Sequence, residues 1–109
     1  MAYDAGLAEL MRNELATETG ITERKMFGGL CFQLHGHMVC GVHKGGGMAR
    51  VGKVAEARAC QLPGVGPLTF TGRKMGGMVD VSEDTIADDG LRAEIVAMAL
   101  EYAKSLPPK

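Results

Sequence analysis

The stretch "KMFGGLCFQLHGHMVCGVHKGGGMARVG", residues 25–52, decides the fold. Apolar residues occupy alternate positions from 30 to 34, a polar break follows at His35 and Gly36, and a second apolar run extends from Met38 to Val42. A period of two is typical of a half-buried strand, and a glycine-containing break between two such runs is typical of a hairpin turn. We therefore predict the glycine-rich middle of an antiparallel sheet.

The pairing within this hairpin determines where its two cysteines lie. A loop centred on His35 and Gly36 predicts the cross-strand pairs Leu34–His37, Phe32–Val39 and Cys31–Cys40. Directly opposed strand residues can approach to about 4.5 Å between Cα atoms, which is at the short edge of disulfide geometry. Cys31 and Cys40 are thus a possible thiol pair, and two buried core cysteines are the alternative.

The flanking sequence predicts the rest of the domain. The expected elements are a helix over 4–19 with Asp4 as N-cap, three strands between 23 and 52, a short helix over 53–60, strands at 68–70 and 78–81, and a final helix that follows Asp88 and Asp89 and ends before Pro107. We predict one α+β domain over residues 1–109. It is a two-layer sandwich with an antiparallel sheet of about five strands and the N- and C-terminal helices packed on one face.

Composition limits the cellular setting. No apolar run approaches the roughly 20 residues of a membrane span, and the amino end is acidic rather than a basic, apolar leader. The three cysteines are an odd number, which favours reduced thiols over a disulfide framework. We expect a cytoplasmic protein.

Charge is unevenly distributed although the net charge is only −1. Residues 22–79 hold eight basic and two acidic side chains, a net charge of +6, so the flanks carry the balancing −7. This asymmetry indicates either an anionic partner for the middle or neutralisation of a basic sheet by acidic helices. The candidate anion- or partner-binding residues are Arg24, Lys25, Arg50, Arg73 and Lys74.

Side chains able to bind metal are present, but their spacing is not that of a metal site. The candidates are Cys31, His35, His37, Cys40 and His43. Structural zinc sites usually place cysteines two to four residues apart on a turn, whereas here a strand pair separates them. No nucleophile elbow or triad order is recognisable either. We predict no metal, no cofactor and no catalytic residues.

Four segments carry a family resemblance. The segments "TERKMFGGLCFQLHGHMVCGV", "MARVG", "FTGRKMGGMVDV" and "ALEYAKSLPPK" together resemble the TfoX/Sxy amino-terminal domain family, in order and spacing, over nearly the whole chain. The resemblance implies a small α+β domain with an antiparallel sheet. The namesakes carry a second, carboxy-terminal domain, and from the length of this chain we expect the first domain to stand alone. It also implies a link to competence genes, for which the namesakes are transcriptional coactivators that act with the cyclic-AMP receptor protein.

Three functions remain open on these grounds. The leading hypothesis is a non-enzymatic regulatory domain that binds a protein, such as a transcription factor or a polymerase component, or that forms a homodimer. The eight methionines could supply adaptable contact surface for it. The alternatives are direct nucleic-acid binding through the basic central sheet, and a thiol- or metal-dependent activity at Cys31 and Cys40.

Overall fold

The computed structural model describes residues 3–26, 28–70 and 73–107, with the side chains at 26, 69–70 and 73–75 left aside. In chain order the elements are α1 Ala5–Glu14, β1 Ile21–Met26, β2 Gly29–Leu34, β3 His37–His43, β4 Gly46–Arg50, α2 Lys53–Ala59, β5 Val65–Phe70, β6 Arg73–Ser82, α3 Glu83–Ala87 and α4 Asp89–Lys104.

The strands form one antiparallel sheet in the order β1-β2-β3-β4-β6-β5, which confirms the predicted α+β class. The sheet has six strands where about five were predicted. The first predicted strand is in fact two, because the chain reverses between Met26 and Gly29, which pair with each other. Gly28 lies in this turn with φ of +76°, a conformation that glycine adopts without steric cost.

The turn between β2 and β3 forms where predicted. His35 and Gly36 both have positive φ, 51° and 88°, as the two central residues of a type I′ hairpin turn require. Leu34 pairs with His37 across the turn, which confirms the predicted register at the tip.

Farther from the tip the predicted register is wrong. Val39 has no partner in β2, because a β-bulge shifts the pairing by one residue at this point. Cys40 therefore lies opposite Phe32, and Cys31 lies opposite Gly41. The two cysteines do not face each other.

The core lies between the helices and one face of the sheet. Alternate strand residues contribute to it: Leu30, Phe32, Leu34, Cys40, Val42, Ala49, Val79 and Val81. All four helices pack onto this face, through buried residues such as Met11, Ala59, Ile86 and Ile95. The approach is close at Gly47, where an added Cβ would lie 2.6 Å from Ile86 Cδ1.

The two long helices begin where the sequence predicted. The Asp4 side chain accepts the N–H of Gly6 at 2.7 Å, and Asp88 accepts the N–H of Leu91 at 3.0 Å. The first helix, however, ends at Glu14 rather than at residue 19. Threonines and a glycine follow within a few residues, and these are weak helix formers.

Candidate functional site

The predicted basic residues do not form one surface in the described part of the chain. Arg24 and Lys25 are exposed on β1, at the edge of the sheet. Arg50 ends β4, three strand spacings away, or about 14 Å at the usual separation of strands. The side chains of Arg73 and Lys74, on β6, lie outside the described residues.

Arg50 lies instead in a cleft of about 680 Å³ at one end of the sheet, between α2, β6 and the last turns of α4. Its guanidinium carbon is 5.3 Å from the centroid of the Tyr102 ring. The charged and polar side chains that line the cleft are those of Arg50, Lys53, Arg58, Glu101, Tyr102 and Ser105.

Two glycines with positive φ shape the wall of this cleft. Gly52 has φ of +85°, and a Cβ there would lie 2.5 Å from Tyr102 Cδ1, so the aromatic ring packs directly on the backbone. Gly77 has φ of +82°, and its carbonyl oxygen accepts the N–H groups of Val51 and Gly52 at 2.9 and 3.0 Å. The N–H of Gly77 in turn donates to Glu56 Oε1 at 2.8 Å. These contacts fix the start of α2 against β6.

Lys53 and Arg58 were not among the predicted site residues. Both belong to the short helix α2, and they line the same cleft as Arg50 because α2 packs against β6 and α4. The only signal in the sequence was two basic residues on a predicted helix that follows Arg50. That signal does not show that the two side chains line the same cleft as Arg50.

The two cysteines of the predicted thiol pair lie on opposite faces of the sheet. Cys40 shares the core face with its partner Phe32, whereas Cys31 is next to Phe32 in β2 and so points the other way. Neither is exposed, and burial raises the pKa of both thiols, that of Cys40 to about 12. A third cysteine, Cys60, is half-buried. Buried thiols with raised pKa values are poor nucleophiles.

The three histidines are each in a different setting. His35 is exposed in the hairpin turn. His37 is buried, and its Nε2 lies 2.6 Å from the carbonyl oxygen of Pro107, to which it can donate. His43 Nε2 lies 2.8 Å from Asp80 Oδ1. Among residues 3–26, 28–70 and 73–107 no three histidine, cysteine or acidic side chains are grouped as metal ligands.

The sheet face away from the helices carries an apolar strip. Cys31 and Met48 are 0 and 7 % exposed, yet neither belongs to the main core. They lie in one row across the sheet, Cys31 opposite Gly41 and Gly41 opposite Met48. Strand alternation places the half-buried Met38 and Met78 on the same face. We refer to Cys31, Met38, Met48 and Met78 as the open-face patch.

Comparison with known proteins identifies one family. The family model described as "TfoX N-terminal domain" matches residues 13–103, which include all six strands, nearly all of α4 and only the end of α1. The comparison with curated proteins gave no match, and the comparison with solved structures gave none either. Within the described residues, no helix has the length and apolar character needed to span a bilayer.

Proposed function

Because the chain belongs to the TfoX N-terminal domain family, we propose that it is a non-enzymatic regulatory domain that acts by contact with another protein. Its partner is a component of the transcription machinery, such as a transcription factor or a polymerase subunit. We propose in addition that it takes part in the regulation of gene expression, including competence genes, in the cytoplasm.

The observation that carries this proposal is the open-face patch. An antiparallel sheet covered by helices on one face commonly presents polar side chains to water on the other. Here the middle strands carry the half-buried Met38 and Met78 on that second face, next to Met48, which is itself buried. Methionine side chains are flexible and polarisable, so they adapt to the shape of a partner surface.

The rim of the patch is polar, as it is in protein–protein interfaces. Thr22 and Gln33 pair with each other on one side. The pair formed by His43 and Asp80 lies on the same face toward the β3–β4 turn. Two arginines also border the patch, Arg24 opposite Cys31 and Arg50 opposite Met78, but they lie on separate strands and do not form the continuous basic surface that a phosphate backbone requires.

The test is affinity capture from a lysate of the source organism, with nuclease present, using the tagged full chain. We expect a nuclease-resistant protein in near-stoichiometric amount. Met38→Gln and Met78→Gln, tested as separate variants, should each reduce its recovery, because each replaces an apolar contact of similar size with a polar group. Val54→Gln is the matched control, since Val54 is a fully exposed apolar residue outside the patch.

Light scattering on the purified protein measures its mass in solution and so tests whether it forms a homodimer. A mass of two chains that Met38→Gln converts to one would identify a second copy of the chain as the occupant of the patch. Capture that disappears with nuclease would favour nucleic-acid binding instead. A strictly monomeric protein that captures nothing, or equal recovery by all three variants, would overturn the proposal.

A further inference from the structure

The cleft at the end of the sheet is not explained by a protein contact on the open face. It shares no residue with the open-face patch. Three cations and one acid line it, Arg50, Lys53 and Arg58 with Glu101, so its lining carries a net charge of +2. Glu56, the acid of α2, already accepts a backbone N–H.

The cations of the cleft differ from the paired arginines elsewhere in the chain. Arg12 and Arg92 each contact two carboxylates. Among the described residues no salt bridge involves Arg50, Lys53 or Arg58, although the same chain has more acids than bases. Their donors are therefore available to a ligand.

One of these cations is also held in place, and the stem of a second follows the backbone of β6. The Arg50 guanidinium lies over the Tyr102 ring, a cation–π contact that limits its rotation. The aliphatic stem of Lys53 passes close to Gly76, where an added Cβ would be 3.1 Å from the Lys53 Cε atom. A side chain that is already ordered loses less entropy when it binds a ligand.

We propose that the cleft binds a phosphate monoester that carries hydroxyl groups, either a sugar phosphate or a nucleoside monophosphate. A monoester has a charge of about −1.5 to −2 at neutral pH, close to the charge of the lining, and its oxygens match the planar donors of a guanidinium group. The volume of about 680 Å³ exceeds what phosphate alone needs and lies in the range of small-molecule sites. The Glu101 carboxylate can accept a hydrogen bond from a ligand hydroxyl.

The test is calorimetric and amide-NMR titration of the full chain at low salt with ribose 5-phosphate, adenosine 5′-monophosphate, inorganic phosphate and adenosine. Saturable binding of either monoester, with shifts at the amides of Gly52, Gly77 and Ser105, is the expected result. Binding of both monoesters assigns the site to the shared ribose phosphate, and binding of the nucleotide alone adds the base as a determinant.

The decisive variant is Arg58→Gln, which removes an exposed cation that has no partner among the described residues. It should weaken monoester binding about tenfold or more, the usual effect of losing a charge-assisted hydrogen bond. Arg24→Gln is the control, because it removes the same charge from β1, an edge strand that does not line the cleft. Equal circular dichroism and thermal unfolding of both variants show that the fold is intact.

Three results would overturn the proposal. They are no saturation by any monoester up to about 10 mM, equal weakening by Arg24→Gln and Arg58→Gln, and binding of a mixed-sequence oligonucleotide without binding of either monoester. The last would assign the cations to nucleic acid. None of these outcomes involves a protein partner, so failure here is distinct from failure of the proposed interaction role.

Discussion

Thiol reactivity separates a binding domain from a thiol-dependent activity. The perturbation is modification of the native protein with a thiol reagent at pH 8. With a pKa of about 12, Cys40 exists as thiolate in about one molecule in 10,000. An ordinary cysteine with a pKa of about 8.5 is about one quarter thiolate at this pH. The ionisation equilibrium alone therefore slows the reaction of Cys40 with the reagent roughly 2,000-fold, and complete burial slows this reaction further.

The assay is iodoacetamide labelling followed by peptide mass spectrometry. We expect the half-buried Cys60 to react first, and Cys31 and Cys40 to react mainly when the protein unfolds. The Cys60→Ser variant should lack the fast phase, and all three thiols should react in denaturant. The reasoning would be refuted if Cys40 reacted within tenfold of the rate of Cys60. A Cys31–Cys40 disulfide formed in the native protein under mild oxidation would refute it as well.

Three further predictions concern stability, each measured by urea unfolding. Raising the pH from 8 to 10 should lower the free energy of unfolding by about 2 kcal/mol through Cys40. The reason is that the thiol ionises above about pH 8.5 in the unfolded chain and only near pH 12 in the folded one. The Cys40→Ala variant should lose this part of the pH dependence. Gly47→Ala should lower stability by about 1–3 kcal/mol, since its Cβ would lie 2.7 Å from a backbone oxygen; an effect no larger than that of Gly66→Ala, whose Cβ meets nothing within 4 Å, would contradict the packing described. Arg12 lowers the pKa of Glu23, so this ion pair stabilises the fold at pH values above the pKa of Glu23 in the unfolded chain, and the contribution is lost as the pH falls. Because both side chains are substantially exposed, Glu23→Gln should remove at most about 1 kcal/mol at pH 7. The variant should also lose less stability in acid than the unmodified chain.

The sequence predicted the elements whose signals are local. The hairpin turn at His35 and Gly36 and the N-caps Asp4 and Asp88 each depend on a few consecutive residues, and all formed as expected. The five-residue helix Glu83–Ala87 was not predicted. It is too short for an apolar period to be visible, and only its N-cap side chain marks its start.

The position of the bulge could not be read from the sequence. Val39 and Cys40 are both apolar, so either could continue the alternation on the core face, and both are buried there. One inserted residue changes every pairing beyond it. This single difference moved Cys40 from opposite Cys31 to opposite Phe32, and it removed the geometry on which the predicted thiol pair depended.

The cleft was also beyond local prediction, for a different reason. Arg50 was identified from its charge alone, whereas its neighbours Lys53, Glu101 and Tyr102 come from elements that meet only through tertiary packing. The basic pair Arg24–Lys25 has the same charge signal but lies at the far edge of the sheet. Charge in the sequence therefore identified candidate anion-binding residues, and only the order of the strands showed that Arg50 and the pair Arg24–Lys25 lie in different places.

The two proposed surfaces meet at one pair of residues, and this affects how their variants are interpreted. Arg50 lines the cleft, and its cross-strand partner is Met78, which belongs to the open-face patch. Substitutions at directly paired positions are not independent, so Met78→Gln can alter the cleft through Arg50 as well as the patch. Met38 lies on β3 and pairs with Gln33, not with any residue of the cleft. A loss of partner binding in Met38→Gln with unchanged phosphate binding is therefore the clearer evidence that the open face acts by itself. A loss of both in Met78→Gln would then measure the coupling between the two surfaces rather than contradict either.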